Sequence, residues 1–164
     1  MVSDLKIKTD ECNFKGRVNG IILKEGKILT VQINNNGFYC LPGGHIELGE
    51  DSRCAVIREI KEEVGVDIKV EKLVSIAENF FVNNAGKNMH EISFYYLVSP
   101  IQCIETKDWE IIEHDKNQDV LLQFKWFDLN EINNIDFRPN FIKEKLLKKD
   151  LGFEHQIIKN NKLI

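Results

Sequence analysis

Three glutamates crowd one short stretch of the chain, and their spacing could support metal chemistry. In a helix, Glu59 and Glu63 are i, i+4 neighbours and Glu59 and Glu62 are i, i+3 neighbours, so the three carboxylates share one side. Like charges at this spacing cost about 0.2–0.5 kcal/mol per pair. A divalent cation would reverse that cost, because Mg²⁺ and Mn²⁺ prefer carboxylate, carbonyl and water oxygens. The alternative is a solvated acidic helix face, which is the commoner role of an isolated E-x-x-E-E.

The residues that precede the cluster favour the cation. A Gly43-Gly44 turn could supply a backbone carbonyl, because glycine lets the main chain approach closely. Arg58 could pair with Glu50 or with Glu62 and hold the cluster in place. The sequence therefore places a carbonyl, an arginine and a further carboxylate around the three glutamates.

A helix must carry the cluster, and both of its ends are marked in the sequence. The pair Asp51-Ser52 favours an N-terminus, and Gly65 is typical of a helix C-terminus. Apolar residues recur at i, i+3 and i+7 and predict one buried stripe, formed by Ile57, Ile60 and Val64.

The whole segment 44–66, GHIELGEDSRCAVIREIKEEVGV, resembles the Nudix box, G-x5-E-x7-R-E-U-x-E-E-x-G-U, where U is a bulky aliphatic residue. All nine defined positions are filled without substitution. The resemblance implies an α/β fold, an α/β/α sandwich around a mixed central sheet, with the box as a loop–helix–loop. One domain over residues 1–164 is expected, in which residues 1–15 could form an extra strand or a loose arm.

The resemblance assigns roles within the box. Nudix proteins hydrolyse a nucleoside diphosphate linked to another group, using Mg²⁺ or Mn²⁺. By position, the principal metal ligands are Glu59 and Glu63, with Glu62 as an additional ligand, direct or through water. The main-chain ligand is the carbonyl of Gly43, with Gly44 as the alternative.

The remaining catalytic roles concern the orientation of the helix and the proton of the attacking water. Arg58 and Glu50 resemble the pair that orients the catalytic helix. The general base is expected to be Glu59 or Glu62, acting through metal-bound water. Some family members use a carboxylate from a later loop instead, for which the candidates are Glu113, Asp115 and Asp119.

The substrate is less well specified than the reaction. A nucleoside triphosphate or a modified (d)NTP is expected, because the chain is short and no proline lies between Pro42 and Pro100, whereas the ADP-ribose subtype carries one shortly after the box. ADP-ribose or a sugar nucleotide is the alternative substrate. A non-catalytic Nudix domain that senses a nucleotide or contacts a protein is the alternative function, which the complete set of carboxylates disfavours.

Several side chains outside the acidic cluster are candidates for substrate contact. Aromatic rings could stack on a base, and imidazoles could contact a base or phosphate. The candidates are Phe38, Tyr39, His45, Phe80, His90 and Glu113. Packing in the core or sheet is the alternative role for each of the aromatic residues.

Composition excludes other classes of function. The 164 residues carry a net charge of −4, which disfavours polymeric nucleic acid as a partner. No apolar run approaches the ~18–20 residues that would cross a bilayer, and we expect a cytoplasmic protein without a membrane partner. The four widely spaced cysteines are expected to be reduced. A homodimer is a further expectation that the sequence does not test.

The coarse pattern is one of strands around two main helices. Apolar runs predict strands at 17–24, 27–33, 66–70, 73–77, 80–82, 91–98, 121–127 and 153–158. Besides the box helix, a short helix is predicted at 128–132 and a longer one at 139–149, and the region around Asp108 and Trp109 is expected to be a polar loop.

Overall fold

The computed structural model describes residues 3–114 and 119–160 of the chain. Within them, the strands are β1 (Lys6–Lys8), β2 (Cys12–Lys24), β3 (Lys27–Ile33), β4 (Ile68–Val82), β5 (Asn88–Pro100), β6 (Trp109–His114), β7 (Asp119–Asp128) and β8 (Glu154–Lys159). The helices are α1 (Ser52–Val64) and α2 (Asn140–Lys148), with a 3₁₀ turn at Ile132–Asn134. No helix in these residues is long and apolar enough to span a membrane.

The strands form a mixed sheet in the order β6-β7-β3-β2-β5-β4-β8, and β1 pairs with β2. Strand β2 runs parallel to β5, whereas it pairs with the antiparallel β3 only at Leu23 and Lys24. The loop before α1 occupies the edge of β2 that β3 leaves open. There the Val18 N–H donates to the Gly44 carbonyl at 3.0 Å, and the Gly20 N–H donates to the Pro42 carbonyl at 2.9 Å. The sheet thus fixes the loop that carries the predicted main-chain ligand.

Two apolar cores lie on opposite faces of the sheet, because successive residues of a strand point in opposite directions. On one face, Val56 and Ile60 of α1 share a core with Val18 and Ile22 of β2. On the other face, Ile142 and Leu146 of α2 share a core with Ile21, Val74 and Tyr95 of the sheet. This arrangement confirms the predicted α/β/α sandwich with a mixed central sheet.

Helix α1 begins and ends where the sequence predicts. The Asp51 side chain accepts hydrogen bonds from the Arg53 and Cys54 N–H groups at 2.9 Å. Gly65 adopts a left-handed conformation with φ of 79°, and its N–H donates to the Lys61 carbonyl at 3.1 Å. Both ends therefore have the capping chemistry that helix termini require.

The predicted buried stripe of α1 was wrong at one position. Ile57 is 38% exposed, whereas Val56 and Ile60 are fully buried and Val64 is half-buried. The stripe therefore runs at i, i+4 and i+8, which turns the helix so that Glu59 and Glu63 flank the core. Glu62 faces solvent on the opposite side, with 59% of its side chain exposed.

Other elements differ from the sequence prediction in detail. The three short strands predicted between 66 and 82 are one long strand, β4, with irregular pairing at two points. The predicted helix at 128–132 was wrong, since β7 extends to Asp128 and only the 3₁₀ turn follows. The region around Asp108 and Trp109 was expected to be a loop, whereas Trp109 begins strand β6; an exposed edge strand lacks the continuous apolar run of a buried strand.

Candidate active site

A cleft of about 400 Å³ opens between the loop before α1, the helix itself and strand β6. Its walls combine acidic side chains, main chain and two arginines, and they include Arg17, Gly43, Gly44, Arg58, Glu59, Glu62, Glu63 and Glu113. The cleft thus brings together most of the residues that the box pattern singled out, although not Glu50, and adds others from β1, β2 and β6.

Arg58 ties α1 to the loop that precedes it. Its Nε and Nη2 donate to the two oxygens of Glu50 at 3.0 and 2.8 Å, and Nη2 also donates to the His45 carbonyl at 2.9 Å. Glu50 in turn accepts the Glu47 N–H at 3.1 Å. Hydrogen bonding from Arg58 holds the pKa of Glu50 below its ordinary value. This paired geometry fixes α1 against the loop that precedes it.

Glu59 lies between Arg58 and Gly44. Arg58 Nη1 donates to Glu59 Oε1 at 2.9 Å and to Glu62 Oε2 at 3.1 Å. Only 12% of the Glu59 side chain is exposed, and burial raises its pKa while Arg58 opposes that rise. A Cβ built on Gly44 would lie 2.3–2.5 Å from the carboxylate atoms of Glu59. The carboxylate therefore occupies the space that a side chain at position 44 would need.

Glu63 is anchored on the main chain of the same loop. The Gly43 N–H donates to Glu63 Oε2 at 2.9 Å. Burial raises the pKa of Glu63 to about 8, and the nearby charge of Glu59 adds to the rise. Gly43 has φ of 141°, and a Cβ there would lie 2.2 Å from the Val18 carbonyl oxygen. Both glycines thus permit contacts that no other residue would.

The oxygens of Glu59, Glu63 and the Gly43 carbonyl suit a hard divalent cation, although in this structure they do not point to a common position. Within residues 3–114 and 119–160, no three His, Cys, Asp or Glu side chains form a group that could hold a metal ion. Glu59 is turned to Arg58, Glu63 to the Gly43 N–H, and the Gly43 carbonyl accepts a hydrogen bond from Arg17. Two half-buried carboxylates beside a carbonyl provide the oxygen ligands that Mg²⁺ and Mn²⁺ prefer, so the residues fit such an ion once these side chains turn.

His45 and Glu113 lie on the cleft, as proposed from the sequence. Burial lowers the pKa of His45 to about 3, and the positive charges of Arg17 and Lys6 contribute, so the imidazole is neutral at pH 7. Among the three later carboxylates, Glu113 lines the cleft. Asp119 forms a hydrogen bond with His114, with 2.8 Å between Oδ1 and Nδ1. Asp115 lies outside the described residues.

The aromatic candidates lie away from the carboxylates. Phe38 lines a second cavity of about 780 Å³ together with Phe81, and the Arg138 guanidinium lies 4.3 Å from the Phe38 ring centroid. The other candidates pack against neighbouring rings instead of lining either cavity: Tyr39 on Phe127 with centroids 4.8 Å apart, and Phe80 on His90 with centroids 4.4 Å apart. Tyr39, Phe80 and His90 therefore pack against other rings of the protein.

The structure adds residues that the sequence did not single out. Arg17 of β2 lines the cleft, and its Nη2 donates to the Gly43 carbonyl at 3.2 Å. Lys6, from the N-terminal β1, lines the cleft as well, as does His114 of β6. The alternation of Lys15 and Arg17 at the start of an apolar strand was the one available signal, because it places both charges on the same face.

Comparison with known proteins places this fold and cleft in one family. The NUDIX domain model matches residues 14–148. An ADP-ribose pyrophosphatase from Methanocaldococcus jannaschii is 34% identical over 134 residues, which is 80% of this chain and 69% of that protein. A MutT-like protein from Streptomyces ambofaciens is 36% identical over 63 residues, 38% of this chain and 41% of that protein.

A solved structure agrees with the sequence matches. A NUDIX hydrolase from Nitrosomonas europaea has a TM-score of 0.62 at 18% identity, covering 89% of this chain and 79% of that one. At that identity the likeness concerns the fold alone. The match of the domain over most of the chain goes further, and with Glu59, Glu62 and Glu63 gathered in one cleft it makes this chain a member of the Nudix hydrolase family.

Proposed function

We propose that this chain is a metal-dependent pyrophosphohydrolase, with the cation held by Glu59, Glu63 and the Gly43 carbonyl and with Glu62 as an additional ligand. The observation that carries the proposal is the placement of two half-buried carboxylates directly against the adjoining glycines of one loop. Nudix hydrolases generally use a divalent metal, and Mg²⁺ or Mn²⁺ is the cation that oxygen ligands of this kind favour. When bound, the metal neutralises phosphate oxygens and acidifies water.

The chain's own residues supply orientation and proton transfer. Arg58 holds Glu50, Glu59 and Glu62 in one network, which fixes α1 against the loop. A carboxylate takes the proton of the attacking water, and Glu59 or Glu62 is the proposed base. Glu113 is the alternative base, because it reaches the same cleft from β6. The water oxygen bonds to phosphorus, one P–O bond of the diphosphate breaks, and the leaving phosphate departs.

The substrate is a nucleoside diphosphate linked to a second moiety, and we propose ADP-ribose ahead of a nucleoside triphosphate. Support comes from the relative named ADP-ribose pyrophosphatase, which matches most of both chains, whereas the MutT-like relative matches less than half of either. The absence of a proline between Pro42 and Pro100 favours the triphosphate instead, which keeps it as the second candidate.

The second cavity supports a substrate with a group beyond its phosphates. A charged pair lies beside that cavity: Glu91 pairs with Lys15 at 2.9 Å, and Lys15 Nζ lies 5.6 Å from the centroid of the Phe81 ring. Phe81 and Phe38 line the cavity. We propose that Phe38 contacts the base or ribose of a substrate whose phosphates lie in the cleft.

A substrate panel tests this proposal. The purified chain is incubated with ADP-ribose, sugar nucleotides, and canonical and oxidised nucleoside triphosphates, with Mg²⁺, with Mn²⁺ or with a chelator. Expected products are AMP and ribose 5-phosphate from ADP-ribose, or a nucleoside monophosphate and pyrophosphate from a triphosphate. Hydrolysis in ¹⁸O-labelled water then identifies the attacked phosphorus. Tight nucleotide binding without turnover under any metal condition would favour the non-catalytic sensor.

A further inference from the structure

Arg17 forms a hydrogen bond with the Gly43 carbonyl oxygen, which is also a ligand of the proposed metal site. Its Nη2 donates to the Gly43 carbonyl at 3.2 Å, while the N–H of the same Gly43 donates to Glu63. Arg17 is half-buried on β2, and its side chain lines the cleft together with Glu59. A guanidinium is always charged and only donates hydrogen bonds. A divalent cation at the same carbonyl would therefore meet a positive charge within hydrogen-bond distance of its ligand.

Glu91, a half-buried acid outside the metal site, already has hydrogen-bonding partners, so it offers Arg17 no strong alternative partner. Glu91 pairs with Lys15 at 2.9 Å and accepts a hydrogen bond from the Ser93 hydroxyl at 2.8 Å. Within residues 3–114 and 119–160, Arg17 itself forms no ion pair with a carboxylate. Once displaced from the carbonyl, its five N–H donors would face the cleft, where Glu59 and Glu62 accept hydrogen bonds from Arg58 and Glu63 accepts one from the Gly43 N–H.

We propose that Arg17 exchanges partners during the reaction. In this structure it donates to the Gly43 carbonyl. Were a cation to bind that carbonyl, Arg17 would turn to a phosphate oxygen of the nucleotide. A guanidinium matches phosphate geometry with two parallel hydrogen bonds, so the displaced side chain becomes a substrate-binding group. This inference rests on the proposed hydrolase function and adds a role for a residue outside the box.

Two separate binding measurements test the exchange. The first is Mn²⁺ binding to the nucleotide-free protein, followed by the electron paramagnetic resonance of free Mn²⁺. The second is calorimetric binding of α,β-methylene-ADP in the presence of Mn²⁺, a probe that carries the linked phosphates of both candidate substrates and resists cleavage. Arg17→Ala and Arg17→Lys are compared with Arg53→Ala, which removes an equal charge from an exposed position at the start of α1.

The exchange predicts opposite effects in the two measurements. In Arg17→Ala, Mn²⁺ affinity without nucleotide stays equal or rises, because the competing donor is gone, whereas affinity for α,β-methylene-ADP falls about 10- to 100-fold. KM for the substrate rises more than kcat falls. Arg17→Lys binds the nucleotide more tightly than Arg17→Ala but less tightly than the wild type, because lysine keeps the charge but cannot form two parallel hydrogen bonds to a phosphate. Arg53→Ala leaves both affinities unchanged.

Other outcomes overturn the inference. A large loss of Mn²⁺ affinity in Arg17→Ala would mean that Arg17 merely props the Gly43 carbonyl for the metal. Unchanged nucleotide affinity would exclude the phosphate contact. If Arg17→Ala does not fold, as judged by its circular dichroism, Arg17→Gln provides the same comparison. Failure of the wild-type chain to bind Mn²⁺ or to cleave any substrate would reject the proposed function itself, and that result is visible before any variant is made.

Discussion

Two adjoining glycines before α1 have different reasons to lack a side chain. At Gly44, the atoms that a Cβ would meet belong to the carboxylate of Glu59, the end of a flexible side chain. At Gly43, they belong to the main chain of Val18, and φ of 141° is itself unfavourable for other residues. The site therefore requires a glycine at position 44, and the fold of the loop requires one at position 43.

Gly44→Ala is expected to separate activity from stability. The new methyl group displaces the Glu59 carboxylate, and turnover should fall by about 10- to 100-fold, as for other groups that orient metal ligands. The melting temperature should change little, whereas Gly43→Ala should lower it clearly. Steady-state assays and thermal melts of both variants provide the measurement, and equal losses of melting temperature would contradict this distinction.

Arg58→Lys should weaken catalysis more than folding. Lysine keeps the charge but cannot reproduce the two parallel bonds to Glu50 together with the bonds to Glu59 and the His45 carbonyl. We expect a loss of about 10- to 100-fold in kcat/KM. Arg53→Lys, on the exposed side of the same helix, is the matched control and should retain wild-type activity.

The residue pattern predicted the group around Arg58 well, because its members are close in sequence and share one helix or the loop before it. Arg17 was not predicted, since its contact with Gly43 joins residues 26 positions apart and depends on how the loop lies along β2. Phe38 was a candidate from the sequence, but its cavity was not predicted, because it is shared with Arg138 from a distant part of the chain.

For helix α1, the displaced apolar stripe has a measurable consequence. Ile60 is fully buried and Ile57 is 38% exposed. Ile60→Ala should lower the free energy of unfolding by about 2–5 kcal/mol, because it leaves a cavity in the core. Ile57→Ala should cost about 1 kcal/mol or less, as expected near the surface. Urea denaturation measures both free energies of unfolding. A larger loss for Ile57→Ala than for Ile60→Ala would mean that Ile57 is buried, as the sequence pattern predicted.

Between β2 and β5, the Lys15–Glu91 pair should make stability depend on acid. Burial raises the pKa of Glu91, but Lys15 and Arg17 outweigh it, and the pKa lies below its usual 4.5. Because the folded-state pKa is depressed, the stabilisation is fully present above about pH 4.5 and is lost as the pH falls through the folded-state pKa.

Glu91→Gln tests that dependence. The variant should melt at a lower temperature than the wild type at pH 7, and the gap should narrow as the pH falls below 4.5, since protonated Glu91 resembles glutamine. Thermal melts between pH 3 and pH 8 provide the measurement. A gap that is constant with pH would mean that the ionised carboxylate does not stabilise the strand pair.

Elements with strong apolar runs were predictable, and edge elements were not. The hairpin of β2 and β3 and the helix α1 were placed by local signals in turns and caps. Strand β6 exposes most of its side chains, and its sequence lacks a buried face that would distinguish it from a loop.

For the molecule as a whole, the resemblance predicted the layers but not the connections between them. The two faces of the sheet each carry a helix, as expected. The parallel pairing of β2 with β5 and of β4 with β8 joins strands far apart in sequence, and no local pattern specifies it. The predicted single domain over 1–164 and the homodimer stay predictions.

The net charge of −4 is not spread evenly over the molecule. Part of the negative charge belongs to Glu59, Glu62 and Glu63, beside the cleft that also carries Arg17. Phosphates would then bind through a cation and one arginine, without a basic surface patch. A small nucleotide suits this arrangement better than a polymer does.

The proposed role of Glu59 and Glu63 is to hold the metal on which hydrolysis depends. Its most direct test is steady-state hydrolysis of ADP-ribose and ATP across a Mg²⁺ titration, for the wild type, Glu59→Gln, Glu63→Gln and the exposed control Glu131→Gln. We expect wild-type and control turnover to require Mg²⁺, and both box variants to lose about 100-fold or more at saturating metal. Full Mg²⁺-dependent turnover in both box variants would contradict the claim.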